Sequence, residues 1–88
     1  MSDEIKLAVL GGSGVATPEL IRALARRKDR PPMEVVLLGR SAKKLEQVSA
    51  LCASLAKQAS VSLRIRHTTD HPSGLDGADY VLNQIRVG

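Results

Sequence analysis

VLGGSGVATPEL, residues Val9 to Leu20, joins an apolar run to a glycine cluster and then to a Thr-Pro step. The run itself, Ile5 to Leu10, is almost continuously apolar, which suits a strand covered on both faces. Thr17 is a good helix cap, and Pro18 fits the first turn, where its missing N–H is no loss. Leu20, Ile21, Leu24 and Ala25 then fall on one helical stripe. A strand that ends in glycines and feeds a helix offers free backbone N–H groups to an anion. Gly11, Gly12, Ser13, Gly14, Val15 and Thr17 are therefore the candidate cradle for the diphosphate of a dinucleotide. The spacing is not a strict GxGxxG. Registers beginning at Gly11 and at Gly12 both lack the third glycine, and Ala16 or Thr17 takes its place.

The rest of the chain continues the alternation. Asp29-Arg30-Pro31-Pro32 ends the first helix, because proline forbids continuation. Val35 to Leu38 is a second continuous apolar run. Ser41 caps a second helix, whose inner face is expected to be Leu45, Val48, Cys52 and Leu55. Val61, Leu63 and Ile65 alternate with polar residues, the period of a half-exposed edge strand. His67 to Asp76 is a connection with one helical turn after Asp70, which is expected to cap it. Tyr80 to Leu82 begins a fourth strand. Strands joined through helices by short links imply a parallel sheet with right-handed crossovers. The expected fold class is α/β: a Rossmann-like mononucleotide-binding half, with sheet order 3-2-1-4 and flanking helices. Such a fold normally has two more strands, so residues 1–88 read as the N-terminal part of a dinucleotide-binding domain.

Composition narrows the function classes. The 88 residues carry a net charge of +4 and contain no Phe or Trp, with Tyr80 the sole aromatic. Scattered cations without stacking platforms argue against a nucleic-acid partner. Cys52 is alone, which rules out an intrachain disulfide and reads as a small buried hydrophobe. No basic leader and no long apolar run is present, so the reading is a cytoplasmic protein with no membrane partner. His67, His71 and Asp70 receive no chemical role.

The end of the second strand bears on the cofactor. NAD-binding folds usually place an acidic residue there to accept from the ribose hydroxyls. This chain has Gly39-Arg40-Ser41, followed by Lys43 and Lys44. A guanidinium cannot accept a hydrogen bond, but it can grip a 2′-phosphate or stack on adenine. The residues therefore predict that NADP is accepted or preferred over NAD.

GGSGVATPELIRAL at the front, with TTD and GADYVLNQIRVG at the back, resembles glycoside hydrolase family 4. The resemblance runs over essentially the whole chain, which is about the first fifth of such an enzyme. Gly11, Gly12, Thr17, Pro18, Glu19 and Leu20 match the family pattern. Ser13 and Gly14 invert its Gly-Ser pair, Ala16 stands where Tyr is common, and Arg40 departs from the usual acidic residue. The resemblance implies an NAD cofactor and a manganese-type divalent metal in the longer parent. It also implies a phosphorylated sugar glycoside as substrate, with Asn83 beside the cofactor and Arg86 holding the sugar 6-phosphate. The chemistry it implies is redox-neutral, with oxidation at the sugar C3 followed by elimination. The metal ligands and catalytic residues of the family lie beyond Gly88, so no catalytic or metal-binding residue is assigned here, and this chain alone is expected to be inactive. Two alternatives stay open. The GGSG and LLGRSAKKL stretches also resemble NADP-binding short-chain dehydrogenases and saccharopine-reductase-like enzymes. A stand-alone nucleotide-binding or interaction domain is the other, with an open fourth-strand edge that invites a homo-oligomer.

Overall fold

The computed structural model describes residues 4–11, 17–27, 32–59 and 63–83. They form β1 (Ile5–Leu10), α1 (Thr17–Arg26), β2 (Met33–Leu38), α2 (Ala42–Gln58), β3 (Leu63–Thr68), α3 (His71–Leu75) and β4 (Tyr80–Asn83). All strand pairings are parallel, and the sheet order is β3-β2-β1-β4. This is the expected Rossmann-like order.

Side chains alternate across a strand, so the sheet has two distinct faces. Leu7, Val9, Val35 and Leu37 point to one face, where Ile21 of α1 and Leu45 and Cys52 of α2 cover them. Ala8, Val36 and Leu38 point to the other, where Leu10, Leu75 and Ala78 pack against them. Being covered on both sides is why β1 and β2 read as continuous apolar runs. With no Phe or Trp available, Leu, Ile and Val side chains supply the burial. Each fully buried one contributes about 1.5–3 kcal/mol of transfer free energy.

Several local expectations shift. β2 starts at Met33, two residues before its apolar run. Helix α1 begins at Thr17, which is fully buried. Ser41 does cap α2: its Oγ accepts from the Lys44 N–H at 3.3 Å. The deepest stripe of α2 is Leu45, Ser49, Cys52 and Ala56, with Val48 and Leu55 half-buried beside it. Small residues on that stripe let the helix sit close to the sheet. Asp70 occupies the cap position of α3, but its side chain makes no capping bond. Its own N–H donates to Thr68 Oγ1 at 3.0 Å instead.

Tyr80 begins the fourth strand, as expected, and stands on its surface. It is 63% exposed, and Val81 and Leu82 are exposed with it. β4 pairs only with β1 among the described strands, so little packs against its flank. Its approach is pinned by polar contacts. The Lys6 N–H donates to Asp79 Oδ2 at 2.8 Å, the Asp79 N–H donates to Lys6 O at 2.9 Å, and Lys6 Nζ donates to Asp76 O.

At the N-terminal ends of the strands Glu34 is buried, and its carboxylate pairs with Arg64 and, at 3.9 Å, with Arg66. Arg64 also reaches Glu4 at 3.1 Å. This cluster ties β2 to the edge strand β3. It lies at the end of the sheet away from the glycine turn.

Candidate functional site

The strand register gathers the site. Leu10 of β1 is level with Leu38 of β2 and Asn83 of β4, and Leu38 is level with Thr68 of β3. Gly11, Gly39-Arg40, Thr69-Asp70 and the end of β4 therefore lie along one edge of the sheet. Neighbouring strands there are about 5 Å apart. Ligands of open α/β sheets sit at this carboxyl edge, where the strand order reverses. Here the reversal falls at β1, between β2 and β4.

Gly11 turns the chain away from β1 with φ +75°. L-residues avoid this left-handed region, because Cβ crowds the following carbonyl. Glycine at this position satisfies a backbone demand at the mouth of the sheet. Thr17 opens α1 and is fully buried, so the helix start is seated in the core. Gly12, Ser13, Gly14 and Val15, the remainder of the proposed cradle, lie outside the described residues, as does Arg86.

At the end of β2 Gly39 presents no side chain. A Cβ there would sit 3.3 Å from Leu45 Cδ2, tighter than ordinary van der Waals contact. The small residue thus admits the first turn of α2 next to the strand end. Arg40 follows, exposed, and makes no ion pair among the described residues. Sequence reasoning singled out Arg40 but not Gly39; the strand boundary at Leu38 is the signal that brings it in.

Beside this edge α3 packs onto the end of β2 through Gly74. A Cβ on Gly74 would overlap Leu38 Cδ2 and lie 3.0 Å from Thr68 Cγ2. Asn83 is exposed at the end of β4. His67 is exposed, and His71 Nδ1 is 3.3 Å from Thr69 O, an arrangement that fills a turn rather than a metal site. Among the described residues no group of three or more His, Cys, Asp or Glu could hold a metal ion. Nor is any described helix long and apolar enough to cross a membrane. Burial pushes the Cys52 thiol above its ordinary value, as fits a core position. A separate cleft of about 300 Å³ lies between the C-terminal ends of α1 and α2, lined by Arg22, Arg26, Leu55 and Gln58. Parallel topology puts it at the opposite end of the sheet from Gly11.

Strand order, glycine turn and helix start together define the mononucleotide-binding half of a Rossmann fold. The sequence model of the family 4 glycosyl hydrolases matches residues 6–88, and the chain belongs to that family. It is 32% identical over 91 residues to a "Probable 6-phospho-beta-glucosidase" of Bacillus subtilis (strain 168), covering 100% of this chain and 21% of that protein. Two solved structures of 6-phospho-alpha-glucosidase from gut microorganisms share the fold at 22% identity. One, in complex with NAD and Mn2+, has a TM-score of 0.84. The other, in complex with NAD and glucose-6-phosphate, has a TM-score of 0.85. Each covers 98% of this chain and 20% of the solved one. The chain thus spans about a fifth of the length of the relatives it matches. Family membership favours the glycosidase reading over the short-chain-dehydrogenase alternative.

Proposed function

We propose that this chain is the N-terminal, dinucleotide-binding part of a longer, metal-dependent glycosidase that acts on phosphorylated sugars by a redox-neutral route. The observation that carries the proposal is the left-handed Gly11 at the end of the strand where the sheet order reverses. NAD in the solved relatives supports it.

The residues fit a dinucleotide. On this reading the backbone N–H groups of Gly11 and of the first turn of α1 neutralise diphosphate oxygens, aided by the helix dipole. Glycines 11, 12 and 14 keep side chains out of the way of that approach. Asn83 stands at the same edge beside the cofactor, and Arg86 is the proposed fork for the sugar 6-phosphate. When bound, the dinucleotide supplies a reversible hydride acceptor for the sugar C3, and a divalent metal supplies Lewis acidity for the charge that develops at C2 and C3. What this chain contributes is position: it holds one half of the cofactor at the sheet edge. The base and the metal ligands belong to the remaining length of the longer protein.

Calorimetric titration of the chain with NAD(P) tests the reading. Saturable binding that disappears in Gly11→Val, with the fold intact by circular dichroism, is expected. Turnover of a 6-phosphoglycoside is expected only when the remaining length of the relatives is supplied as well. A folded chain that binds neither dinucleotide refutes the proposal.

A further inference from the structure

We infer that the adenosine end of this site is built for a 2′-phosphate, so that NADP is bound in preference to NAD. The inference rests on the dinucleotide reading above and deepens it. It differs from the solved relatives, whose complexes contain NAD.

Four observations converge at the end of β2. First, the strand passes from the fully buried Leu38 to Gly39, so no carboxylate is present where a ribose diol would need an acceptor. Second, that position is tight: a Cβ on Gly39 would sit 3.3 Å from Leu45 Cδ2, so any side chain there needs Leu45 to give way. Third, Arg40 is the next residue, exposed and without an ion pair among the described residues. It is one strand across from Gly11, about the offset between a diphosphate and the ribose attached to it.

The fourth observation is the first turn of α2. It holds Lys43 and Lys44 and no acidic residue, although the helix dipole favours carboxylates there. Both lysines are exposed, and neither forms an ion pair among the described residues. Cations massed at the positive end of a 17-residue helix repel the dipole and one another, and a bound dianion relieves both. The described acidic groups here are Glu46, three residues after Lys43 on α2, and Asp70, just past the end of β3, and Arg40, Lys43 and Lys44 outnumber them three to two. Arg40 would supply the planar fork to the phosphate oxygens, with Lys43 and Lys44 adding point charge.

The test compares 5′-ADP with 2′,5′-ADP, and NAD with NADP, by calorimetry on the folded chain. Wild type is expected to bind the 2′-phosphorylated member of each pair more tightly, on the order of tenfold. The preference should shrink as salt rises. Arg40→Gln should bring each pair near parity without weakening 5′-ADP, and circular dichroism checks that the fold is kept. Equal or tighter binding of NAD and 5′-ADP overturns the inference and leaves the dinucleotide site standing. A preference that survives Arg40→Gln together with Lys43→Gln and Lys44→Gln also overturns it, because other residues would then read the phosphate. Failure of all four ligands to bind overturns the dinucleotide reading as well.

Discussion

Gly77 and Gly11 both take positive φ, +71° and +75°. Gly77 follows α3 in the turn toward β4, and nothing lies within 4 Å of where its Cβ would be. Replacing it by alanine therefore isolates the backbone term. Forcing an L-residue into the left-handed region costs about 1–2 kcal/mol. Loss of unfolded-state freedom returns about 0.4–1 kcal/mol. The net is a destabilisation of about 0.8 kcal/mol, within a span of about 0–1.6 kcal/mol, which for a domain of this size lowers Tm by roughly 3–6 °C. Gly77→Asn should recover part of this, since asparagine tolerates the conformation. Gly11→Ala should show a thermal loss of the same order, together with weakened NAD(P) binding that Gly77→Ala does not share. Thermal melts by circular dichroism and calorimetric titration on both variants make the comparison. A Gly77→Ala protein that melts at or above the wild-type temperature refutes the strain argument. A Gly11→Ala protein with wild-type affinity refutes the cradle.

Two further outcomes are expected. Arg64→Met should destabilise more than Glu34→Met in urea titrations. The first leaves a carboxylate only 8% exposed with Arg66 at 3.9 Å as its described partner, costing about 1–3 kcal/mol; the second leaves guanidiniums that are 64% and 51% exposed and that water can solvate, costing about 0–1 kcal/mol. The reverse order would show that the edge arginines, not the glutamate, dominate the cluster. Cys52 should make stability fall at alkaline pH. Its thiol is raised above 9.0 in the fold by burial, so above that pH the unfolded chain loses a proton that the folded chain keeps, and unfolding is favoured. The pH dependence above 9 should be shallower in Cys52→Ala. Identical slopes would exclude the linkage.

The turn at Gly11 was legible in the sequence, because it rests on backbone chemistry. Glycine at the end of an apolar run followed by Thr-Pro has few explanations, and Gly11 at φ +75° is the one the sequence suggests. Arg40 was placed at this edge because the second apolar run stops at Leu38, whereas Asn83 came from the family resemblance. Gly39 was passed over, since its meaning depends on Leu45, six residues on and packed back against it. Gly74 gave no signal for a similar reason: its neighbours Leu38 and Thr68 come from two other strands. The exposure of Tyr80 had no signal in the sequence, because it depends on what lies beside β4.

Local order is therefore a property of this sequence alone. Apolar runs, the period of β3, the Ser41 cap and the glycine turn follow from interactions among residues close in the chain. The tertiary structure decided the rest: that Glu34 is neutralised by arginines from β3, that Gly39 and Gly74 are spacers, and that the ends of β1, β2 and β4 lie level as one edge. Those outcomes depend on which distant atoms share a volume. Only parallel pairing in register brings those atoms together.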